Sequence, residues 1–214
     1  MFDTVLFDLD GTLTNPFEGI TNSIIYALDK FGVEVADRSL LAPFIGPPLV
    51  NSFKSVYGFS QADADRAVAF YREFFAEKGI FQNEVYDGVH GLLKELKERG
   101  KKIVLATSKP DVFAVRIVGH FGLDRYLSHI AGATLDGTRG EKGDVIAHAI
   151  KIARITDLDG ATMVGDRKYD ALGARENGLK CIGVTYGFGS RQELEDAKAD
   201  FIVDCPRDIL EIIR

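Results

Sequence analysis

The sequence predicts an α/β fold, in which a Rossmann-like parallel sheet forms the core and a helical domain is inserted into it. Three observations indicate this fold. Short apolar runs recur along the chain, helix-period segments lie between successive runs, and one long segment carries helix signals alone. Strands that alternate with helices are typical of a parallel sheet covered on both faces.

The strands and helices of the core follow from these runs in chain order. The predicted strands are 4–9, 102–106, 130–133, 161–164, 181–185 and 201–203. The predicted helices are 89–99, 112–121, 142–155, 169–177, 191–197 and 208–213. The first of these helices has apolar residues at helical spacing and is followed by Gly100, a typical C-terminal signal.

The segment 16–85 interrupts the alternation and shows no convincing strand. Apolar stripes predict helices over 21–31 and 62–78, and a rigid Pro47-Pro48 turn leads into a third helix from Val50. Seventy residues are too many for an ordinary loop between packed elements. We therefore expect a core domain of residues 1–15 and 86–214 and a helical cap domain of residues 16–85. The alternative is an extra helical layer packed permanently on the core.

Composition and charge exclude several classes of protein. Of the 214 residues, 46% are hydrophobic and 27% are charged, which is ordinary globular usage. The formal net charge of -6 argues against a nucleic-acid binder, whose footprint is a basic face. No run approaches the ~20 apolar residues of a membrane span, and the chain begins without a basic or apolar leader. We expect a cytoplasmic monomer or homodimer that binds a small molecule and neither nucleic acid nor membrane.

The first predicted strand ends in two carboxylates, Asp8 and Asp10, followed directly by Gly11. In an extended chain these two side chains point to the same side, so their charges face one small volume. Two such carboxylates repel unless a proton or a cation lies between them. The alternative is a strand that ends in an ordinary polar turn, for which Asp-Gly suffices.

Polar residues also follow other strands, and parallel strands present their carboxyl ends, where ligands bind, at one edge. Thr107 and Ser108 offer hydroxyl and N–H groups that suit a phosphate, or they are plain turn residues. Asp166 and Asp170 are spaced for one face of a helical turn, where acids are also favoured by the helix dipole. Lys142 begins a helix, an unfavourable place for a cation unless it meets an anion, although most lysines are simply solvated.

Carboxylates without a cluster of histidine or cysteine suit a hard cation, and Mg²⁺ takes oxygen ligands while it binds substrate phosphate. This chemistry predicts phosphoryl transfer, with Asp8 as the nucleophile and an aspartyl-phosphate as the intermediate. Asp10 is then the acid that protonates the leaving oxygen and the base that activates water. Lys142 and the cation neutralise the phosphoryl oxygens.

These motifs resemble those of the haloacid dehalogenase superfamily of phosphatases, in which D-x-D-G-T opens the core domain. The resemblance covers nearly the whole chain, and a cap inserted after the first motif is typical of the helical-cap subgroup. The four matching motifs are Asp8-Leu9-Asp10-Gly11-Thr12, Thr107, Lys142 and Gly165-Asp166 through Asp170.

The resemblance implies a metal site and the role of the acids around it. In the family Mg²⁺ is held by the first Asp, the backbone carbonyl of the second and an Asp of the fourth motif. This implies that Asp8, Asp10 and Asp166 bind the metal. Asp170 would orient Lys142 or a metal-bound water.

The resemblance also implies that Thr107, with Ser108 and Lys142, binds the phosphate. For the rest of the substrate the predicted cap offers Lys54 and Arg72. Further candidates there are Phe17, Glu18, Phe44 and Asn51, although the two aromatic residues are more often core than stacking platforms.

Within the superfamily the chain looks most like phosphoglycolate phosphatases and bacterial 5′-nucleotidases, particularly at Ile45-Gly46-Pro47-Pro48-Leu49. We therefore expect a hydrolase of small phosphomonoesters such as a nucleoside monophosphate or phosphoglycolate, with sugar phosphates and pyrophosphate left open. One alternative is a phosphotransferase or phosphomutase of the same fold. The other is a signalling domain that accepts phosphate as a switch.

Overall fold

The computed structural model describes residues 2–214, and its centre is a six-stranded parallel sheet. Two further strands, each of two residues, form a separate small sheet. The strands are β1 (Thr4–Phe7), β2 (Thr14–Asn15), β3 (Glu84–Val85), β4 (Lys102–Pro110), β5 (His129–Ala133), β6 (Ala161–Gly165), β7 (Lys180–Val184) and β8 (Phe201–Val203).

The strand order in the large sheet is β5-β4-β1-β6-β7-β8. β1 lies near the middle, where Thr4 is in register with Lys102 of β4 on one side and with Ala161 of β6 on the other. The chain builds the sheet outward from β1 in one direction through β4 and β5, and then in the other through β6. Ligand sites in parallel sheets form outside the carboxyl ends of strands at such a point of reversal.

The helices begin and end close to the predicted positions. They are α1 (Phe17–Asp29), α2 (Leu49–Tyr57), α3 (Gln61–Glu77), α4 (Val89–Glu98), α5 (Asp111–His120), α6 (Lys142–Ile152), α7 (Lys168–Glu176), α8 (Arg191–Asp196) and α9 (Pro206–Ile212). Turns of 3₁₀ helix occur at Arg38–Phe44, Gly79–Phe81 and Asp124–Tyr126. Among the described residues, no helix combines the length and the apolar character that crossing a membrane requires.

One part of the hydrophobic core lies between the sheet and the helices α6 and α7. Leu6, Val104 and Met163 come from β1, β4 and β6, and all three are fully buried. Val145 and Ile146 of α6 pack in the same cluster. All four residues of β1 are buried, as expected for a central parallel strand covered on both faces. The strands β1, β4 and β6 are therefore held in place by a tightly packed core.

The chain divides into two compact units, one formed by residues up to Asn15 together with Val85–Arg214, the other by Pro16–Glu84. The second unit contains α1, α2 and α3 and has its own aromatic core. Phe44 is 1% exposed, and its ring lies 5.2 Å from that of Phe53 and 6.0 Å from that of Tyr57. Its burial leaves Phe44 unsuited to stack on a nucleobase.

The predicted α/β fold is confirmed, and the strands differ locally from the prediction. β1 ends at Phe7 rather than at Leu9, and the two-residue strand β2 was not predicted. Strand β4 extends to Pro110 rather than ending at Ala106, because its pairing with β5 continues past a register shift between Thr107 and Pro110. The segment predicted to contain no strand ends in β3, whose two residues are too few to give a periodic signal.

Candidate functional site

Asp8 directly follows β1 and is buried, with 6% of its surface exposed. Its backbone N–H donates to the carbonyl of Val164 at 2.9 Å, so the turn out of β1 is held against β6. The next turn is equally constrained. Gly11 has φ of +86°, and a side chain there would lie 2.2 Å from the Asp166 carboxylate. Only glycine satisfies both demands.

Lys142, the first residue of α6, is buried and lies between two acids. Its Nζ is 2.8 Å from Oδ1 of Asp8 and 2.8 Å from Oδ1 of Asp170, and it donates to the carbonyl of Ala106 at 3.1 Å. Burial lowers the pKa of Lys142, but the attraction of Asp170 and Asp8 outweighs this effect and leaves the pKa raised. The lysine is therefore a fixed positive charge.

Asp170 lies in the first turn of α7 and is fully buried. Its Oδ2 accepts a hydrogen bond from the backbone N–H of Arg167 at 3.0 Å, which satisfies one donor of the helix N-terminus. Burial and the nearby charge of Asp8 raise the pKa of Asp170, although Lys142 acts in the opposite direction. One lysine is thus shared between two acids and does not fully compensate the burial of Asp170.

Asp166 follows β6 and has no exposed surface. Its Oδ2 accepts a hydrogen bond from the backbone N–H of Phe188 at 2.7 Å, whereas its Oδ1 has no hydrogen-bond partner among the described residues. Burial raises the pKa of Asp166 well above its ordinary value, and repulsion from Asp170 and Asp8 raises it further. This carboxylate has an oxygen available for a cation.

The three acids form one group. Asp8, Asp166 and Asp170 each place a carboxylate oxygen within 4.8 Å of the others. Lys142 is the cation that pairs with two of them, so the negative charge exceeds the positive charge in this group. A divalent cation would correct the imbalance, and a purely oxygen donor set suits a hard ion.

Asp10 has a different partner, Lys109, to which sequence reasoning assigned no role. Lys109 is 8% exposed, and its Nζ lies 2.5 Å from Oδ2 of Asp10. Burial raises the pKa of Asp10, the ion pair with Lys109 lowers it, and the net shift is upward. The position of Lys109, two residues after Thr107 at the end of the neighbouring strand, was the signal that could have identified it.

Thr107 and Ser108 lie at the end of β4, beside the end of β1. Thr107 is almost fully buried, and its hydroxyl oxygen accepts a hydrogen bond from the backbone N–H of Lys109 at 3.2 Å. Ser108 is half-buried. Thr107 therefore shapes the irregular end of β4 from which Lys109 reaches Asp10, and its role at a phosphate stays a prediction.

The two cap candidates belong to the second unit. Lys54 is exposed on α2, and its ammonium donates to Oε1 of Gln61 at 3.0 Å. Arg72 is half-buried on α3. Their predicted substrate contacts stay predictions.

Residues 5–184 match the sequence profile of the family described as haloacid dehalogenase-like hydrolases. The chain belongs to this family. It is 48% identical over 193 residues to a 5′-nucleotidase of Pseudomonas aeruginosa, a match that covers 90% of this chain and 87% of the relative. A tyrosine-protein kinase PtkA of Mycobacterium tuberculosis is 38% identical over 199 residues, which are 92% of this chain and 64% of that longer protein.

Solved structures of the haloacid dehalogenase-like family show the same fold. The crystal structure of a predicted phosphatase from Clostridium acetobutylicum superposes with a TM-score of 0.96 at 48% identity, covering 100% of this chain and 98% of the other. The predicted family is confirmed, as is the enzyme class, a phosphatase, at the level of the family and its named relatives. Haloacid dehalogenase-like phosphatases typically use a divalent metal, which the buried acid group of this chain fits.

Proposed function

We propose that this chain is a Mg²⁺-dependent phosphomonoester hydrolase that works through an aspartyl-phosphate on Asp8. The observation that supports this most directly is the buried group in which Lys142 lies 2.8 Å from both Asp8 and Asp170, while Oδ1 of Asp166 has no hydrogen-bond partner within residues 2–214. Charges are rarely buried in such number without a functional reason. The proposal assigns each of them a task.

Asp8 is the nucleophile. Its position at the carboxyl end of the central strand, in a turn held by Val164, fixes the direction of its carboxylate. The adjacent Lys142 ammonium stabilises the negative charge that builds up on the phosphoryl oxygens as the Asp8 oxygen bonds to phosphorus. Without such a cation, an anionic carboxylate and an anionic phosphate would repel each other.

Asp10 is the general acid and base. In the first half-reaction its proton passes to the leaving oxygen as the P–O bond of the substrate breaks. In the second it accepts a proton from the water that attacks the phosphorus of phospho-Asp8, and the bond between phosphorus and the Asp8 oxygen breaks to release phosphate. The upward shift of its pKa, caused by burial, favours a proton on Asp10 when the substrate arrives. Lys109 holds the carboxylate in place by its contact with Oδ2.

Asp8, Asp166 and the backbone carbonyl of Asp10 would hold Mg²⁺, with Asp170 orienting Lys142. When bound, this ion neutralises phosphate charge and orients the phosphoryl group for attack. The burial of Asp166 and the shortage of positive charge in the group support this assignment. Thr107 and Ser108 then donate hydrogen bonds to the phosphoryl oxygens from the neighbouring strand end.

The substrate class we favour is the nucleoside monophosphates, because a relative at 48% identity is named 5′-nucleotidase. Phosphoglycolate is the second candidate, from the sequence resemblance. We propose that residues 16–85 are the cap domain, in which Lys54 and Arg72 contact the part of the substrate beyond the phosphate.

A second candidate function is phosphoryl transfer to an acceptor other than water. The relative named tyrosine-protein kinase is 38% identical to this chain, which spans 64% of its length. A phospho-Asp8 intermediate serves either reaction, since only the attacking oxygen differs. Asp10 favours water as the acceptor because it can activate a small nucleophile in place.

A phosphate-release screen tests the proposed function. Nucleoside monophosphates, phosphoglycolate, sugar phosphates and pyrophosphate are offered with Mg²⁺, and matched samples contain a chelator. We expect release from at least one nucleoside monophosphate, its loss with chelator, and its loss in Asp8→Asn. Release that persists with chelator or in Asp8→Asn would refute the mechanism. Transfer to added tyrosine peptide in preference to water would replace hydrolysis by the second candidate.

A further inference from the structure

The loop that follows β7 packs against the acid group at Asp166. Its residues Tyr186, Gly187, Phe188 and Gly189, here called the 186–189 loop, lie outside every sequence motif assigned above. Two kinds of contact, hydrogen bonds and close backbone approach, join this loop to the turn after β1 and to the end of β6. All of them involve Asp166 or the backbone of the first motif.

The hydrogen bonds come first. The backbone N–H of Phe188 donates to Oδ2 of Asp166 at 2.7 Å. The hydroxyl of Tyr186 donates to the carbonyl of Thr12 at 3.1 Å. The loop is thus tied both to the acid and to the turn that carries Asp8 and Asp10.

The glycines of the loop allow an approach that no side chain would permit. A Cβ atom on Gly187 would lie 2.3 Å from the carbonyl oxygen of Gly11 and 2.5 Å from Cβ of Asp166. A Cβ atom on Gly189 would lie 1.9 Å from the carbonyl oxygen of Asp166. Such separations are far inside van der Waals contact, so the backbone itself forms the wall against which Asp166 rests.

We propose that the 186–189 loop is a positioning element for the metal-binding acid Asp166. The N–H of Phe188 occupies Oδ2 and fixes the rotation of the carboxylate. The backbone of Gly187 and Gly189 prevents the Asp166 side chain from rotating toward the loop. Its Oδ1 accepts no hydrogen bond within the described residues, so this oxygen remains available for the cation. This inference rests on the proposed function, in which Asp166 binds a divalent ion. Partners that orient a metal ligand in this way commonly contribute to metal affinity.

The test measures metal binding in the absence of substrate. Mn²⁺, which can be followed by electron paramagnetic resonance, is titrated into the full chain, into Gly187→Ala and into the matched control Gly91→Ala. Gly91 lies exposed on α4 with nothing within 4 Å of an added Cβ. Asp166→Asn gives the background from Mn²⁺ bound elsewhere.

We expect Gly187→Ala to bind Mn²⁺ about 10- to 100-fold more weakly, the usual loss when a partner of a metal ligand is disturbed. Gly91→Ala should bind like the unaltered chain. The Mg²⁺ concentration for half-maximal phosphate release should rise in Gly187→Ala by more than the turnover at saturating Mg²⁺ falls. If the loop had a merely structural role, Gly187→Ala would lower the thermal unfolding midpoint without raising the Mg²⁺ requirement by more than it lowers the turnover.

Unaltered Mn²⁺ affinity in a folded Gly187→Ala overturns the inference. If that variant does not unfold cooperatively, Tyr186→Phe takes its place, because it removes the donor to Thr12 and adds no atom. Unaltered Mn²⁺ affinity in Tyr186→Phe then overturns the inference, and a weakened affinity supports it. If the unaltered chain binds Mn²⁺ no better than Asp166→Asn does, the proposed function itself is contradicted. This outcome differs from a failure of the loop inference alone, in which the unaltered chain binds Mn²⁺ and the loop variant binds it equally well.

Discussion

Lys142 shows how single residues make this site possible. Three buried acids would repel one another in a sheet that offers no solvent to screen them. A lysine between Asp8 and Asp170 offsets part of this repulsion, and both distances of 2.8 Å indicate direct contact. The remaining excess charge, centred on Asp166, is the physical reason to expect a second cation.

Lys109→Met tests the role of the ion pair with Asp10. The substitution removes the positive charge that lowers the pKa of Asp10, so this pKa should rise further. A smaller fraction of Asp10 is then available as a base at any given pH, and the acidic limb of the pH–rate profile should move to higher pH. We expect turnover at pH 7 to fall about 10- to 100-fold, a range typical for a lost outer partner of a functional carboxylate.

Lys109→Arg is the matched control, since it keeps the charge and should retain the position of the acidic limb. The measurement is phosphate release across pH at saturating substrate and Mg²⁺. A Lys109→Met profile that superposes on that of the unaltered chain would show that the contact with Asp10 has no part in the reaction.

Asp8, Asp166, Asp170 and Lys142 were expected at one edge of the sheet, because the carboxyl ends of neighbouring parallel strands meet there, and the structure has them close together. Their roles stay predictions. The periodicity of apolar residues does not reveal which way a long side chain points at the irregular end of a strand. For that reason Lys109 was not assigned, although it lies two residues after the second motif, Thr107. The same limit applied to the 186–189 loop, whose contacts are made by backbone atoms.

At the scale of elements, the pair α6 and α7 places Lys142 and Asp170 relative to each other. Gly173 of α7 lies so close to α6 that an added Cβ atom would meet the backbone N of Gly143 at 3.0 Å and Cγ of Lys142 at 3.1 Å. Close approach of the two helices thus sets how far Lys142 reaches toward Asp8.

Gly173→Ala should therefore disturb both packing and chemistry. We expect the free energy of unfolding to fall by about 1–3 kcal/mol, the usual cost of overpacking, and phosphate release to fall as Lys142 is displaced. Gly91→Ala in α4, where an added Cβ meets nothing, should instead stabilise by up to about 1 kcal/mol. Urea unfolding of both variants measures the difference, and a Gly173→Ala variant as stable as Gly91→Ala would contradict this account of the helix pair.

The elements themselves were largely predictable, since six apolar runs and the helices between them are periodic. Their ends were less so. The extension of β4 to Pro110 depends on pairing with β5, a tertiary contact that has no signature in local sequence. The two-residue strands β2 and β3 were missed because each spans a single period of alternation, which is too short for a repeating pattern.

At the scale of the whole molecule, the acid group links stability to pH and to metal. Burial raises the pKa values of Asp10, Asp166 and Asp170. Above about pH 4 the folded chain therefore retains protons that the unfolded chain has released. The free energy of unfolding should fall as pH rises through this interval, because the folded state binds more protons than the unfolded state. A bound cation reverses this cost by favouring the charged carboxylates.

Asp166→Asn isolates this effect. At pH 7 without metal it should raise the thermal unfolding midpoint, because it removes a buried carboxyl group whose pKa is raised by folding, and it should abolish the stabilisation by Mg²⁺. In the unaltered chain that stabilisation should be larger at pH 7 than at pH 5, and about 2.7 kcal/mol when Mg²⁺ is at 100 times its dissociation constant. An Asp166→Asn variant that is still stabilised by Mg²⁺ to the same extent would place the cation elsewhere.

The aspartyl-phosphate on Asp8 is the centre of the proposed function, and trapping it is the most direct test. Asp10→Asn should slow turnover by about 10²- to 10⁴-fold through loss of the acid and base. p-Nitrophenyl phosphate, whose leaving group needs little protonation, should still phosphorylate this variant. After an acid quench with Mg²⁺ present, mass spectrometry should find one phosphoryl group on the peptide that contains Asp8, and none when Asp8→Asn is added. Release of p-nitrophenol by Asp10→Asn without phosphoryl on that peptide would contradict the mechanism.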